Sequence, residues 1–301
     1  MLDAAKKDGY AIGAFNTSNL EVTQAIIETA IEKRSPVIVA TSPSALTYAG
    51  IKHISNIVRD LAEEAPVPVA LHLDHGLDFE TVVKCIRNGW TSVMIDASKE
   101  PFAANVALTK RVVEVAHLAG VSVEAELGRL VGIEDQVAVS EREASLTDPE
   151  QAALFVAETG CDVLAVAVGT SHGAYKFKGE PKLDFPRLRE IAGVVSIPLA
   201  LHGASGVNRE VVEKAIHYGA AEKLASAAGV PDEAIRVAIK GGIQKINIDT
   251  DLRLAFVSAL REILATKPDE IDLRKLLQPG REAMKAVIAH KMDLFGSAGR
   301  A

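Results

Sequence analysis

Eight short apolar runs, each followed by a stretch with helical spacing or by a long polar loop, constrain what this chain can fold into more than any other feature. The runs span residues 11–15, 36–40, 67–73, 91–95, 121–127, 162–169, 197–201 and 244–248. Helical spacing of apolar residues marks 20–34, 79–88, 101–119, 149–159, 185–192 and 208–218. Eight β-then-α units predict an α/β chain closed into a (β/α)8 TIM barrel. A doubly wound open sheet alternates in the same way, but it calls for a glycine-rich nucleotide fingerprint after an early strand, and the sequence has none. With no residue-level repeat, low-complexity block or flexible linker, residues 1–301 read as a single barrel domain. An extra helix opens before strand eight at Val230-Pro231-Asp232-Glu233, and further helices fill 252–295.

Composition narrows the function classes. Asp and Glu total 40 against 33 Lys and Arg, which argues against nucleic-acid or membrane-surface binding through bulk charge. No apolar stretch has the length of a membrane span. Cys85 and Cys161 have no metal or redox spacing and read as buried fillers, and the N-terminus lacks the apolar core of a signal peptide. The expected setting is the reducing cytoplasm.

In such a barrel the reacting groups stand at the C-terminal ends of the strands. Here those ends deliver Asn16, then Thr41 with Ser42, Asp74 with His75, Asp96, Glu126, His172, His202, and Asn247 with Asp249. Three imidazoles meeting at one rim describe a catalytic metal site with an open position, with Zn2+ as the default ion and Co2+ or another divalent transition metal as alternatives. Consecutive strand residues face opposite ways, so the backbone must leave strand geometry between Asp74 and His75 if both reach the centre. Asp74 is then available for acid/base work. Asp96 and Glu126 either form a second metal position, the reading favoured here, or orient the histidines from outside. His72 belongs inside the barrel, and His53, His117, His217 and His290 fall in helical stretches.

Gly203-Ala204-Ser205-Gly206 follows His202 and precedes a helix, so its amides offer a phosphate cradle, with Asp249-Thr250 opening the next helix and Gly173 and Lys176 completing the pocket. The polar segment 128–148 is long enough to serve as a lid, and 170–186 is rich in Gly and Lys.

The motifs Leu71-His72-Leu73-Asp74-His75-Gly76, Ser92-Val93-Met94-Ile95-Asp96-Ala97-Ser98, Val123-Glu124-Ala125-Glu126-Leu127-Gly128, Gly169-Thr170-Ser171-His172-Gly173, Leu201-His202-Gly203-Ala204-Ser205-Gly206 and Lys245-Ile246-Asn247-Ile248-Asp249-Thr250-Asp251 resemble those of the class II, metal-dependent fructose-1,6-bisphosphate aldolases, in the same order along essentially the whole chain. The resemblance implies reversible cleavage of fructose 1,6-bisphosphate to dihydroxyacetone phosphate and glyceraldehyde 3-phosphate. It implies zinc on His75, His172 and His202, an alternative metal position at Asp96 and Glu126, proton transfer by Asp74, and a mobile catalytic Glu134. Gly173, Lys176, Gly203, Ser205, Asn247, Asp249 and Thr250 match positions that handle dihydroxyacetone phosphate, with a monovalent cation nearby. Arg274, with Arg281 behind it, is the candidate for the second phosphate. In this family the corresponding arginine can come from a neighbouring subunit, which implies a homodimer or homotetramer.

Three rivals remain at this level. A tagatose-1,6-bisphosphate aldolase shares the machinery. A lysine Schiff-base mechanism would use Lys245 but leaves the rim histidines without a role. A non-enzymatic zinc or sugar-phosphate binding barrel would have no turnover to lose.

Overall fold

The computed structural model describes residues 1–129, 131–134, 137–139, 145–172 and 183–301, with the backbone alone for 131–134, 137–139 and His172. Along the chain, α1 (Leu2–Asp8), β1 (Ile12–Asn16), α2 (Leu20–Lys33), β2 (Val37–Thr41), α3 (Pro43–Ala49), α4 (Ile51–Glu64) and β3 (Val69–Gly76) come first. They are followed by α5 (Phe79–Arg87), β4 (Ser92–Ile95), α6 (Phe102–Leu118), β5 (Ser122–Leu127), β6 (Val131–Glu134), β7 (Val137–Val139), α7 (Pro149–Thr159), β8 (Val163–Val166) and β9 (Ser171–His172). The last part holds α8 (Phe185–Val194), β10 (Leu199–Leu201), α9 (Arg209–His217), a 3-10 turn (Glu222–Ser226), α10 (Asp232–Lys240), β11 (Ile243–Ile248), α11 (Thr250–Thr266) and α12 (Leu273–Phe295).

Eight of these strands close into a parallel barrel in the order β1-β11-β10-β8-β5-β4-β3-β2. All eight apolar runs became barrel strands, with shifted ends. Two runs start two residues later than expected, at Val69 and Leu199, because each has a proline just before the strand that cannot donate to the ladder. The third run also continues three residues further, through Asp74 and His75 to Gly76. The sixth stops at Val166 instead of residue 169. The segment after β5 is not a structureless connection: β6 and β7 form an antiparallel hairpin, and β6 also pairs in parallel with β9. Residues 130, 135–136 and 140–144 of that segment, and 173–182 after β9, lie outside the described residues.

Caps stop and start the helices where the barrel needs loops. Asn19, Ser42, Asp78, Asp148, Asp184, Asn208 and Asp272 each accept a first-turn amide with their side chains. Helix α1 covers the N-terminal end of the barrel, where Lys6 donates to the carbonyls of Val195, Ser196 and Ile197 at 3.2, 2.6 and 2.8 Å. Ala5 and Tyr10 pack there against Ile12, Ala14 and Ile38 from the strands. The main apolar core fills the layer between strands and helices and includes Phe15, Trp90, Phe155 and Phe295. The barrel axis is therefore plugged below by apolar side chains.

Candidate active site

The site begins with a backbone irregularity. Against β4, the pairing of β3 runs from Leu73↔Val93 to Gly76↔Ile95, so one extra residue is accommodated on β3. His75 takes up the difference with φ of 48°, a left-handed conformation unusual for a residue with a side chain. Both Asp74 and His75 consequently turn inward, and both are buried. The departure from strand geometry that the Asp74-His75 pair required is present at His75.

His75 Nε2 lies 2.9 Å from His202 Nδ1, and the rings meet edge to face with centroids 4.6 Å apart. The far nitrogen of each ring is held by a carboxylate. Asp96 Oδ2 sits 3.2 Å from His75 Nδ1, with Glu126 Oε2 at 3.8 Å, and Glu124 Oε1 sits 2.8 Å from His202 Nε2. A ring that gives its outer N–H to a carboxylate turns its inner lone pair towards the centre, which is how metal-binding imidazoles are oriented. Ligand atoms of Asp74, His75 and His202 all lie within 4.8 Å of one another, as do those of His75, Asp96 and Glu126. The backbone of Ser171 presses against Gly203, where an added Cβ would stand 2.5 Å from the Ser171 carbonyl. Ser171, which precedes His172, is thus packed against Gly203, which follows His202, and the His172 side chain is outside the described residues.

Charge argues for a cation. Asp74, Asp96, Glu124 and Glu126 are buried together, with Lys245 as the lysine among them. Burial opposes ionisation of Asp74, but the fields of His75, His202 and Lys245 outweigh it and hold its carboxyl below the ordinary range. Burial likewise lowers His75, yet Asp74, Asp96 and Glu126 push it up to about 10. Burial and the neighbouring Asp96 raise Glu126 well above its usual value, and its Oε2 accepts no hydrogen bond among the described residues. A pocket of carboxylates that drives an imidazole to hold a proton, and leaves a buried oxygen orphaned, fits a divalent ion.

Glu124 was not among the residues singled out from sequence. Its signal was there: it stands two residues before Glu126 on one strand, so both face the barrel interior. Lys245 closes that group from β11, 2.8 Å from Glu124 Oε2 and 2.7 Å from Asn247 Oδ1. His72 lies inside the barrel as expected, 2.9 Å from Ser92 Oγ and 3.6 Å from Glu124 Oε2, and burial lowers it to about 3.

Asn16 and Asn247, expected as substrate contacts, each donate to Asp74, at 2.8 Å to Oδ2 and 2.8 Å to Oδ1. The profile of the family "Fructose-bisphosphate aldolase class-II" matches residues 1–223 and 224–300. The chain belongs to the class-II fructose-bisphosphate aldolases. A fructose-bisphosphate aldolase of Thermus caldophilus is 56% identical over 301 residues, covering 100% of this chain and 98% of its own. One from Helicobacter pylori is 48% identical over 297 residues, covering 98% and 96%. Among solved structures, an aldolase of Escherichia coli K12 superposes with a TM-score of 0.79 at 34% identity, covering 100% of this chain and 96% of that one.

The other expected aldolase residues are spread over several parts of the barrel. Beside the centre is a cavity of about 430 Å3 lined by Asn16, Ser42, Tyr48, Asp249 and Arg253. Ser42 spends its hydroxyl on the N-terminus of α3, and Asp249 pairs with Arg253 at 2.6 Å. Ser205 lies in the loop after β10, its hydroxyl 3.4 Å from the Asp249 amide, and Thr250 opens α11. Of the 203–207 loop, the amides of Gly206 and Val207 are already taken by Asp251, which removes them from the phosphate cradle expected there. Arg274 stands at the start of α12 with its side chain 89% exposed and paired to Asp272, and Arg281 bonds Glu28 of α2. Glu134 ends β6, with its side chain outside the described residues, as are Gly173 and Lys176.

Cys85 and Cys161 are buried, and burial raises their thiols to about 12 and about 11, so neither offers a thiolate. No helix among the described residues is long and apolar enough to cross a membrane.

Proposed function

We propose that this chain cleaves fructose 1,6-bisphosphate reversibly to dihydroxyacetone phosphate and glyceraldehyde 3-phosphate. The observation that carries the reading is the pair of inward nitrogens of His75 and His202 with the Asp74 carboxylate beside them. His75, His202 and His172 would hold Zn2+ or Co2+, with Asp96 and Glu126 as an alternative position for the ion. When bound there, a divalent ion supplies the Lewis acidity that stabilises the enediolate charge left on the ketone half.

The protein groups do the rest. Asp74, kept ionised and steadied by the amides of Asn16 and Asn247, accepts the proton of the C4 hydroxyl as the C3–C4 bond breaks, and returns it in condensation. Asn16 Oδ1, buried without a hydrogen bond among the described residues, is an acceptor for a substrate hydroxyl. Glu134, carried on the hairpin beside β9, exchanges the proton on the dihydroxyacetone phosphate carbon. Gly203, Ser205, Asp249, Thr250 and Asn247, with Gly173 and Lys176, form the surroundings of that phosphate, together with a monovalent cation. Ser42 faces the middle of the substrate, and Arg274 of a neighbouring copy meets the second phosphate, which makes the working form a homodimer or homotetramer. The cytoplasm is the proposed location, and residues 1–301 act as one domain.

An aldolase assay coupled to metal analysis tests the reading. Turnover that tracks one bound divalent ion, stops with chelator and returns with Zn2+ or Co2+ is the expected result. A metal-loaded protein inert towards the substrate would leave only a binding barrel. Faster cleavage of tagatose 1,6-bisphosphate would move the substrate to that epimer.

A further inference from the structure

The loop after β10 is held from behind by groups that the reaction does not use. Asp251, in the first turn of α11, accepts the amides of Gly206 at 2.8 Å and Val207 at 2.7 Å. Val207 is forced to φ of 52°, a conformation that a β-branched residue adopts only under constraint from its surroundings. Lys291 of α12 is 4% exposed, with Nζ 3.5 Å from Asp251 Oδ2 and 3.5 Å from Asp232 Oδ1, where α10 begins. The same ammonium would lie 3.1 Å from a Cβ placed on Gly206. On the other flank, the Val230 amide donates to the Ser205 carbonyl at 3.0 Å. The segment inserted before β11 and the C-terminal helix therefore both grip one loop.

We propose that Lys291 and Asp251 are positioning residues for the phosphorylated ketone. Asp251 fixes the loop, and Lys291 cancels the charge of Asp251 beneath the arriving phosphate. This inference rests on Ser205 and Gly203 being the phosphate site. A carboxylate bound to two amides of that loop opposes a phosphate dianion through the low-dielectric protein, and an adjacent buried ammonium removes the opposition. Neither side chain has to touch the substrate. Without Lys291, the loop keeps its fixed shape, but Asp251 and the neighbouring Asp232 lose the ammonium that offsets them.

The test is the condensation reaction of zinc-loaded enzyme, with the KM of each substrate measured separately. Lys291→Met and the near-isosteric Lys291→Gln are expected to raise the KM for dihydroxyacetone phosphate roughly tenfold, the scale of one charge interaction in a protected site. The KM for glyceraldehyde 3-phosphate should stay within about twofold, and metal content should not change. Lys291→Arg should rescue. Adding Asp251→Asn to Lys291→Gln should recover part of the lost affinity, since it removes the uncancelled charge, which a purely structural role would not allow. Equal changes in both KM values, or no change in either, would overturn the proposal. Ser205→Ala separates the two levels of inference: if it leaves the KM for dihydroxyacetone phosphate unchanged, the phosphate-site reading fails. If it raises that KM while the Lys291 variants do not, only the positioning role fails.

Discussion

His202 Nδ1 lies 2.9 Å from His75 Nε2, although 127 residues separate the two in the chain. Each ring is fixed from its outer side, His75 by Asp96 and His202 by Glu124, so the inner nitrogens are held facing one another by the protein's own carboxylates. That preorganisation is what a metal centre needs, since ligands already in place lose little freedom on binding.

Replacing His202 with Ala should remove the ion together with the activity. A Lewis acid supplies several kcal/mol of transition-state stabilisation, so kcat should fall by about 1,000-fold or more, and metal content measured on the purified variant should fall with it. Full metal content with full turnover would remove His202 from the centre.

A chelator should abolish turnover in the wild-type chain, and added Zn2+ or Co2+ should restore it. Borohydride in the presence of substrate should leave activity intact, because Lys245 is committed to Glu124 and Asn247 inside the barrel. Covalent trapping of substrate on Lys245 would reverse the assignment of mechanism.

The Lys245–Glu124 pair also bears on stability. Lys245→Met leaves Glu124 buried without its ammonium, a loss of about 3–5 kcal/mol for a broken buried pair. Combining it with Glu124→Gln should recover a substantial part, and denaturant unfolding of the single and double variants measures the difference.

Asp74→Asn separates proton transfer from metal binding. The amide cannot accept the hydroxyl proton as a carboxylate does, so kcat should drop by about 100- to 10,000-fold while metal content stays near that of the wild type. A drop in both together would make Asp74 a ligand instead.

Gly203→Ala probes the contact between the two histidine-bearing segments. Gly203 has φ of 64°, and a Cβ there would meet the Ser171 carbonyl at 2.5 Å. The variant should lose both activity and metal affinity, because Ser171 is bonded in sequence to His172. Isothermal titration of zinc into the metal-stripped variant reads the effect directly.

The barrel itself was legible because its strands are buried on both faces and so read as near-continuous apolar runs, as in β2, whose five residues are all buried. The strand ends were less so. Asp74, His75 and Gly76 look like a loop by composition, and only the slipped pairing with β4 makes them part of a strand. Glu124 carried a period-two signal with Glu126 but no indication of what it would meet, since Lys245 and His202 reach it from β11 and from the loop after β10. The amides of Gly206 and Val207 looked available to a phosphate because their partner, Asp251, approaches from a different helix.

The order of residues alone determined the alternation of strand and helix and the placing of Asp74, His75 and His202 at strand ends, because local periodicity and strand-end position need no knowledge of distant contacts. Which polar side chains touch was decided by closure of the barrel. Closing the sheet sets β5 and β8 side by side and puts the chain ends at neighbouring strands, so that β11 lies beside β1 and Asn247 reaches Asp74 across it. Spacing along a chain says nothing about such a meeting, because it is fixed by register and by burial of every group that surrounds it.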